Sequence, residues 1–182
     1  ALMRVLGGME WTLEHGVRVL NLSLGFRVYT PFLLAVTQRL RQRGVLPVFA
    51  IGNEGPGTSR SPGNYAEALS VGAVDRYGMV APFSSSITFN RSIEPNQPNV
   101  VAPGVAVVSA KPGGGVQSMD GTSMATPHVS GIAALLVQAK PDASVEQVEQ
   151  AIQSTSTLLP KQSPLRSGFG LVNPRAALQA LG

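Results

Sequence analysis

One segment of the sequence carries residue types and spacing suited to covalent chemistry: Asp120-Gly121-Thr122-Ser123-Met124-Ala125-Thr126-Pro127-His128-Val129-Ser130-Gly131. A glycine that permits a sharp turn precedes a serine at the head of a long, largely apolar run. Ser123 is therefore expected in the first turn of a helix. Backbone N–H groups there have no intrahelical acceptor, and the helix dipole favours negative charge. An oxyanion developing at that position would be stabilised by both effects. On spacing alone the commoner role of such a serine is a helix N-cap, and the two readings stay open at this level.

A serine hydroxyl is a poor nucleophile unless a positioned base takes its proton. The sequence contains 2 histidines. His15 falls at the end of a predicted helix beside Gly16, where a histidine commonly caps carbonyls. His128 follows Ser123 by five residues on the same helix, which turns it about 140° away around the axis. Neither is expected to act as the base. The sequence has no cysteine, which excludes a thiolate nucleophile, a disulfide and a thiolate metal site.

The elements that would position these residues alternate. Residues 2–15 read as an amphipathic helix through Leu2, Val5, Leu6, Met9 and Leu13. Residues 17–24 and 45–51 read as buried strands, separated by a helix that Thr30 caps and Pro31 opens, running to about Arg43 before Gly44. Residues 52–64, with four glycines and two prolines, must be loop. Residues 69–74 form a third strand, and residues 84–98 are expected as a polar surface excursion. Short strands follow at 100–102 and 105–109, then helices over 123–139, 144–154 and 173–181. Apolar strands alternating with helices predict an α/β fold: a mainly parallel sheet covered by helices in three layers, with right-handed crossovers. No repeat or domain boundary is visible between residues 1 and 182.

Apolar residues make up 43% of the 182 and charged residues only 13%, a balance that fits a piece of a larger globule or a domain with an extensive interface. The net charge is +4. The basic residues are dispersed, and their densest group, Arg39, Arg41 and Arg43, ends a predicted helix without interleaved aromatics. No nucleic-acid partner is expected. No stretch approaches the ~20 apolar residues of a membrane helix, so no membrane span is expected. The first residues show no signal-peptide pattern.

The segment Gly121-Thr122-Ser123-Met124-Ala125-x-Pro127-His128-Val129-x-Gly131 resembles the nucleophile motif of the subtilisin-like serine proteases nearly letter for letter. Further segments resemble that family in the same order. Asn21-Leu22-Ser23-Leu24-Gly25 is similar to one wall of its S1 pocket. Ala50-Ile51-Gly52-Asn53-Glu54-Gly55 is similar to the opposite wall with the oxyanion-hole asparagine. Ser70-Val71-Gly72-Ala73-Val74-Asp75 and Val101-Ala102-Pro103-Gly104 are weaker landmarks, and Gly168-Phe169-Gly170-Leu171-Val172-Asn173 resembles the start of the final helix. The resemblance spans nearly the whole chain and implies the C-terminal portion of a peptidase domain, truncated on its N-terminal side.

It also implies roles. Ser123 would attack the scissile carbonyl of a peptide, and Asn53, with the Ser123 N–H, would receive the oxyanion. Ser23, Leu24, Gly25, Ala50, Gly52 and Thr122 would bind the substrate, with Gly25 and Gly52 leaving room for a large apolar P1 side chain. The family's Asp-Thr-Gly and His-Gly-Thr segments do not occur in this sequence, so the chain alone is expected to be inactive and to need the N-terminal half of the domain as partner. Asp75 and Asp120 are not expected in the triad. His128 matches a histidine without catalytic duty. The strand at 17–24 would be left as an apolar edge open to self-association. Asn99 stands where some relatives carry a cation-binding aspartate, so no metal and no cofactor are expected. The alternative is a non-catalytic binding or structural domain of the same fold. An extracellular setting is implied by the resemblance alone.

Overall fold

The computed structural model describes residues 2–182. In chain order the elements are α1 (Leu2–Glu14), β1 (Val19–Leu22), β2 (Phe26–Arg27), a 3-10 turn (Pro31–Leu33), α2 (Leu34–Gln42), β3 (Leu46–Ala50), β4 (Arg60–Ser61) and β5 (Leu69–Val74). There follow β6 (Ile87–Thr88), β7 (Asn96–Gln97), β8 (Val100–Pro103), β9 (Val107–Ala110) and β10 (Val116–Met119). The chain ends with α3 (Thr122–Ala139), α4 (Val145–Ser154), α5 (Pro164–Ser167) and α6 (Pro174–Leu181).

The main sheet is parallel, in the order β1-β3-β5-β8. Its central strand β3 is buried at every position. Pro47 is tolerated there because pairing to β5 begins only at Val48↔Leu69, so no ladder bond needs its missing N–H. Side chains alternate across the sheet. Leu46, Val48, Leu69, Val71, Ala73, Val100 and Ala102 pack against Ala125, Val129, Ala133 and Leu136 of α3 and Val148 and Ile152 of α4. Val45 and Phe49 point the other way, onto Met9 of α1, Leu33 and Leu40. The result is a three-layer α/β fold, as the alternating pattern predicts.

The two sheet edges differ. The free side of β8 is covered by residues 170–172, with Val101 N donating to Gly170 O at 2.9 Å and Val172 N to Val101 O at 3.1 Å. On its far side β1 has no pairing strand among the described residues. Only Val19–Leu22 of the expected strand 17–24 pairs, because Ser23 turns away to a different partner described below.

Other expectations need correction. Thr30 does not cap a helix. Pro31 opens a 3-10 turn there, no side-chain cap bond forms, and the Thr30 hydroxyl is buried without a partner. Residues 84–98 are not wholly a surface excursion. Ser84, Ser85 and Ser86 are buried with their hydroxyls engaged: Ala73 N donates to Ser84 Oγ at 3.0 Å, Glu54 N to Ser85 Oγ at 3.1 Å and Arg166 Nη1 to Ser86 Oγ at 3.0 Å. The strand expected at 105–109 begins two residues later and pairs with β10 in a hairpin absent from the sequence reading. Residues 52–64 contain the two-residue β4, which pairs with β2.

Candidate active site

The site is assembled by the hairpin β9–β10, the head of α3 and the loops following β1 and β3. After β10 the chain turns at Gly121, whose φ of 151° is the glycine-favouring conformation the motif calls for. Gly121 is the N-cap of α3, so Ser123 is the second helical residue rather than the cap. Its N–H therefore lies in the unpaired first turn.

Pro127, inside α3, lacks the N–H that would close on the Ser123 carbonyl four residues earlier. Ser23 Oγ fills that vacancy, donating to Ser123 O at 3.0 Å. Ser123 Oγ donates in return to Ser23 O at 3.0 Å. This reciprocal pair bridges 100 positions of sequence and draws the Ser23-Leu24-Gly25 segment against the helix head. Asn21 adds to the clasp, its Oδ1 accepting from Ser130 Oγ at 2.9 Å.

Asn53 follows β3. Its Oδ1 accepts from Thr122 N at 2.8 Å and from Thr122 Oγ1 at 2.9 Å. Two donors on one oxygen fix the orientation of the amide, because the NH2 group could accept from neither. The positive φ a loop asparagine often takes belongs instead to Gly52, at 124°. Thr122, expected at the substrate surface, is 1% exposed and also donates to Gly52 O at 3.3 Å. Its side chain holds the Asn53 loop from beneath and has no face towards a ligand.

No imidazole or carboxylate bonds to Ser123 among the described residues. His128 Nδ1 is 2.9 Å from Met124 O on its own helix, and His15 Nδ1 is 2.8 Å from Trp11 O, with its ring stacked on that indole. Asp120 Oδ1 accepts from Ala106 N at 2.6 Å, and Asp75 Oδ1 closes a turn to Tyr77 N and Met79 N. Both aspartates serve loops. Asn99 is spent internally, accepting from Ser70 N at 2.8 Å and donating to Glu94 Oε2 at 2.5 Å. No cluster of metal-ligating side chains occurs among the described residues.

A hollow of about 330 Å3 opens beside Ser123, lined by Val107, Val108, Ser109, Met124 and His128. A larger one of about 510 Å3, between Arg41, Glu94 and Glu149, contains no nucleophile.

Two residues beside the site escape the sequence reading. Arg60 Nε donates to Glu54 Oε1 at 2.9 Å and Oε2 at 3.2 Å, its Nη2 also donates to Oε1, and its Nη1 donates to Gly25 O at 3.0 Å. Glu54 Oε2 further accepts from Asn53 N at 3.1 Å. The bond from Arg60, partly opposed by burial, holds the Glu54 carboxyl below the usual carboxylate range, and the same bond raises Arg60. The Arg60 side chain lies where a Cβ on Gly25 or Gly52 would project, so these two glycines face a charged side chain of the chain itself.

The subtilase family model matches residues 2–170, and the chain belongs to that family. Over 170 residues it is 41% identical to subtilisin Savinase of Lederbergia lenta, covering 93% of this chain and 60% of that protein. It is 38% identical to alkaline elastase YaB of Bacillus sp. (strain YaB), covering 93% of this chain and 42% of the relative. Among solved structures, the prenylagaramide maturation protease PagA superposes with a TM-score of 0.88 at 27% identity, over 100% of this chain and 68% of PagA. The patellamide maturation protease PatA gives 0.85 at 30% identity, over 100% of this chain and 69% of PatA. The chain thus spans about two-fifths to three-fifths of the length of these two curated relatives.

Proposed function

We propose that these residues are the nucleophile-bearing portion of a serine endopeptidase. Ser123 Oγ attacks the scissile carbonyl carbon while a base supplied from outside these residues takes its proton. The resulting oxyanion accepts from the Ser123 N–H and Asn53 Nδ2. Collapse of the tetrahedral species breaks the C–N bond, the protonated base gives its proton to the departing amine, and water later hydrolyses the acyl-enzyme on Ser123. Ser23-Leu24-Gly25 and Ala50-Gly52 flank the bound peptide, which adds to them as an extended strand.

The observation that carries this reading is the pair of hydrogen bonds that Thr122 donates, from N and Oγ1, to Asn53 Oδ1. It leaves the Asn53 NH2 as a preset donor in the loop bound to the head of α3, where Ser123 also offers an unpaired N–H. A merely structural asparagine has no need of a fixed outward donor. An extracellular setting is proposed on the family likeness alone.

The competing reading, a non-catalytic domain of the same fold, is favoured by one observation: the Ser123 hydroxyl is spent on Ser23 O at 3.0 Å. The two readings separate when the chain is combined with a segment supplying the family's histidine and aspartate and offered a peptide. Cleavage that is lost in Ser123→Ala supports the peptidase. A folded mixture with no Ser123-dependent cleavage supports the binding domain.

A further inference from the structure

The two walls assigned to the substrate's P1 side chain each contain a glycine, and a slot between two glycines ordinarily admits a large group. Here the slot is already filled from the chain itself. A methyl group placed on Gly25 would lie 2.9 Å from Arg60 Cβ. One placed on Gly52 would lie 3.1 Å from Arg60 Cγ and 3.0 Å from Glu54 Oε2. The stem of Arg60 therefore runs past both glycines, and its guanidinium is tied at both ends, to Gly25 O on one wall and to Glu54 beside the other.

The arrangement is held by backbone as well as side chain. Arg60 lies in β4, where it pairs with Arg27 of β2, and its N–H donates to Ile51 O at 2.8 Å. Glu54 is fixed through Asn53 N, while Ser85 Oγ receives the Glu54 N–H. Displacing the pair would uncover a half-buried carboxylate, because the Arg60 and Glu54 side chains are only 32% and 23% exposed. Arg27 Nε stands 3.8 Å from Glu54 Oε1 with its side chain 78% exposed, so it contributes charge at the rim and little obstruction.

We infer that Arg60 and Glu54 floor the P1 slot, so that the site selects peptides with a short, uncharged side chain, such as glycine, alanine or serine, before the scissile bond. This rests on the serine-peptidase reading and adds a substrate class to it. Large aliphatic and aromatic groups would have to displace a hydrogen-bonded ion pair. An acidic group would compete with Glu54 for the guanidinium and would bring a second negative charge beside that carboxylate. Arg60 is thus a specificity-determining residue without a part in bond cleavage.

The test is a set of peptides identical except at P1 (glycine, alanine, serine, leucine, phenylalanine and aspartate), cleaved by the chain combined with the base-supplying segment. The expected kcat/KM favours alanine and serine over leucine and phenylalanine by about tenfold or more, the order of discrimination that sterics in an apolar pocket allow. Arg60→Ala, which keeps the β4 backbone and removes the stem beyond Cβ, should shift the ratio towards phenylalanine by at least about tenfold. Arg60→Lys keeps a stem in place and should retain the short-P1 preference. A wild-type preference for phenylalanine or leucine overturns the inference without need of any variant, and a preference for aspartate overturns it in favour of cation recognition. An unchanged profile in folded Arg60→Ala also overturns it. Cleavage of none of the peptides removes the underlying peptidase reading, and the inference with it.

Discussion

Ser23 and Ser123 exchange hydrogen bonds, each hydroxyl donating to the other's carbonyl at 3.0 Å. The exchange has a cause in the sequence: Pro127 deprives Ser123 O of its helical donor, and the strand-end loop supplies one instead. The proline within α3 therefore leaves free the carbonyl to which the Ser23-Leu24-Gly25 segment is tied. Ser23→Ala should cost about 1 kcal/mol in thermal or denaturant unfolding. In a Pro127→Ala background, where residue 127 regains its N–H, the same change should cost measurably less. A double-mutant cycle reads the difference, and strict additivity of the two changes would show that the proline and the clasp are unrelated.

Thr122 acts on Asn53 from below. Thr122→Ala removes the hydroxyl bonds to Asn53 Oδ1 and Gly52 O but leaves the backbone bond from Thr122 N. The expected result in the complemented enzyme is a fall in kcat of about fivefold to tenfold with KM little changed, corresponding to roughly 1 kcal/mol for one positioning hydrogen bond. Thr122→Ser should recover most of it. An equal loss in both variants would assign the effect to packing of the Thr122 methyl.

Asn53→Ala should reduce kcat further than Thr122→Ala. The loss of about 10²–10³ known for removing such a donor comes from a subtilisin and not from this chain.

Glu54 gives the fold a signed dependence on acid. Its carboxyl lies below the usual range because Arg60 hydrogen-bonds the charged form. The folded state thus favours ionised Glu54, and this stabilisation is complete above the unfolded carboxylate value of about 4.3. It is lost as pH falls through the lowered folded value. Glu54→Gln lacks this term. The wild type should melt above the variant at pH 6, and the gap should narrow towards pH 3. A gap that is constant or widens with acid contradicts the assignment.

On its far side β1 (Val19–Leu22) pairs with no strand among the described residues, and an edge of that kind is a template for association. The chain alone should associate with increasing concentration in sedimentation, and the base-supplying segment should suppress that association. A chain that stays monomeric, with the β1 amides as protected from exchange as those of β3, has an edge closed by other means.

Much of this molecule was legible because certain residues have one physical option. The strand Leu69–Val74 is legible to the residue, as six small or apolar positions bounded by loop signals admit little else. Gly121 and the apolar run after it located the nucleophile turn. What escaped detection has no local signature. β10 is exposed at all four positions, so no alternation marks it. Arg60 lies in a loop-like stretch, and its role comes from Gly25, 35 residues away in sequence, and from Gly52 across a turn. Thr122 is expected among the substrate-binding residues from the family resemblance, whereas its 1% exposure and its bond to Asn53 are tertiary facts.

On the peptidase reading, Ser123 is a nucleophile that needs a base from outside these residues. The measurement that tests it most directly is labelling with a fluorophosphonate, followed by peptide mapping, with and without the base-supplying segment. The expected result is a single adduct on Ser123 that forms rapidly only in the combined protein, and more slowly when Asn53 is replaced by alanine. An adduct on another residue, or labelling of Ser123 at the same rate in the chain alone, would contradict it.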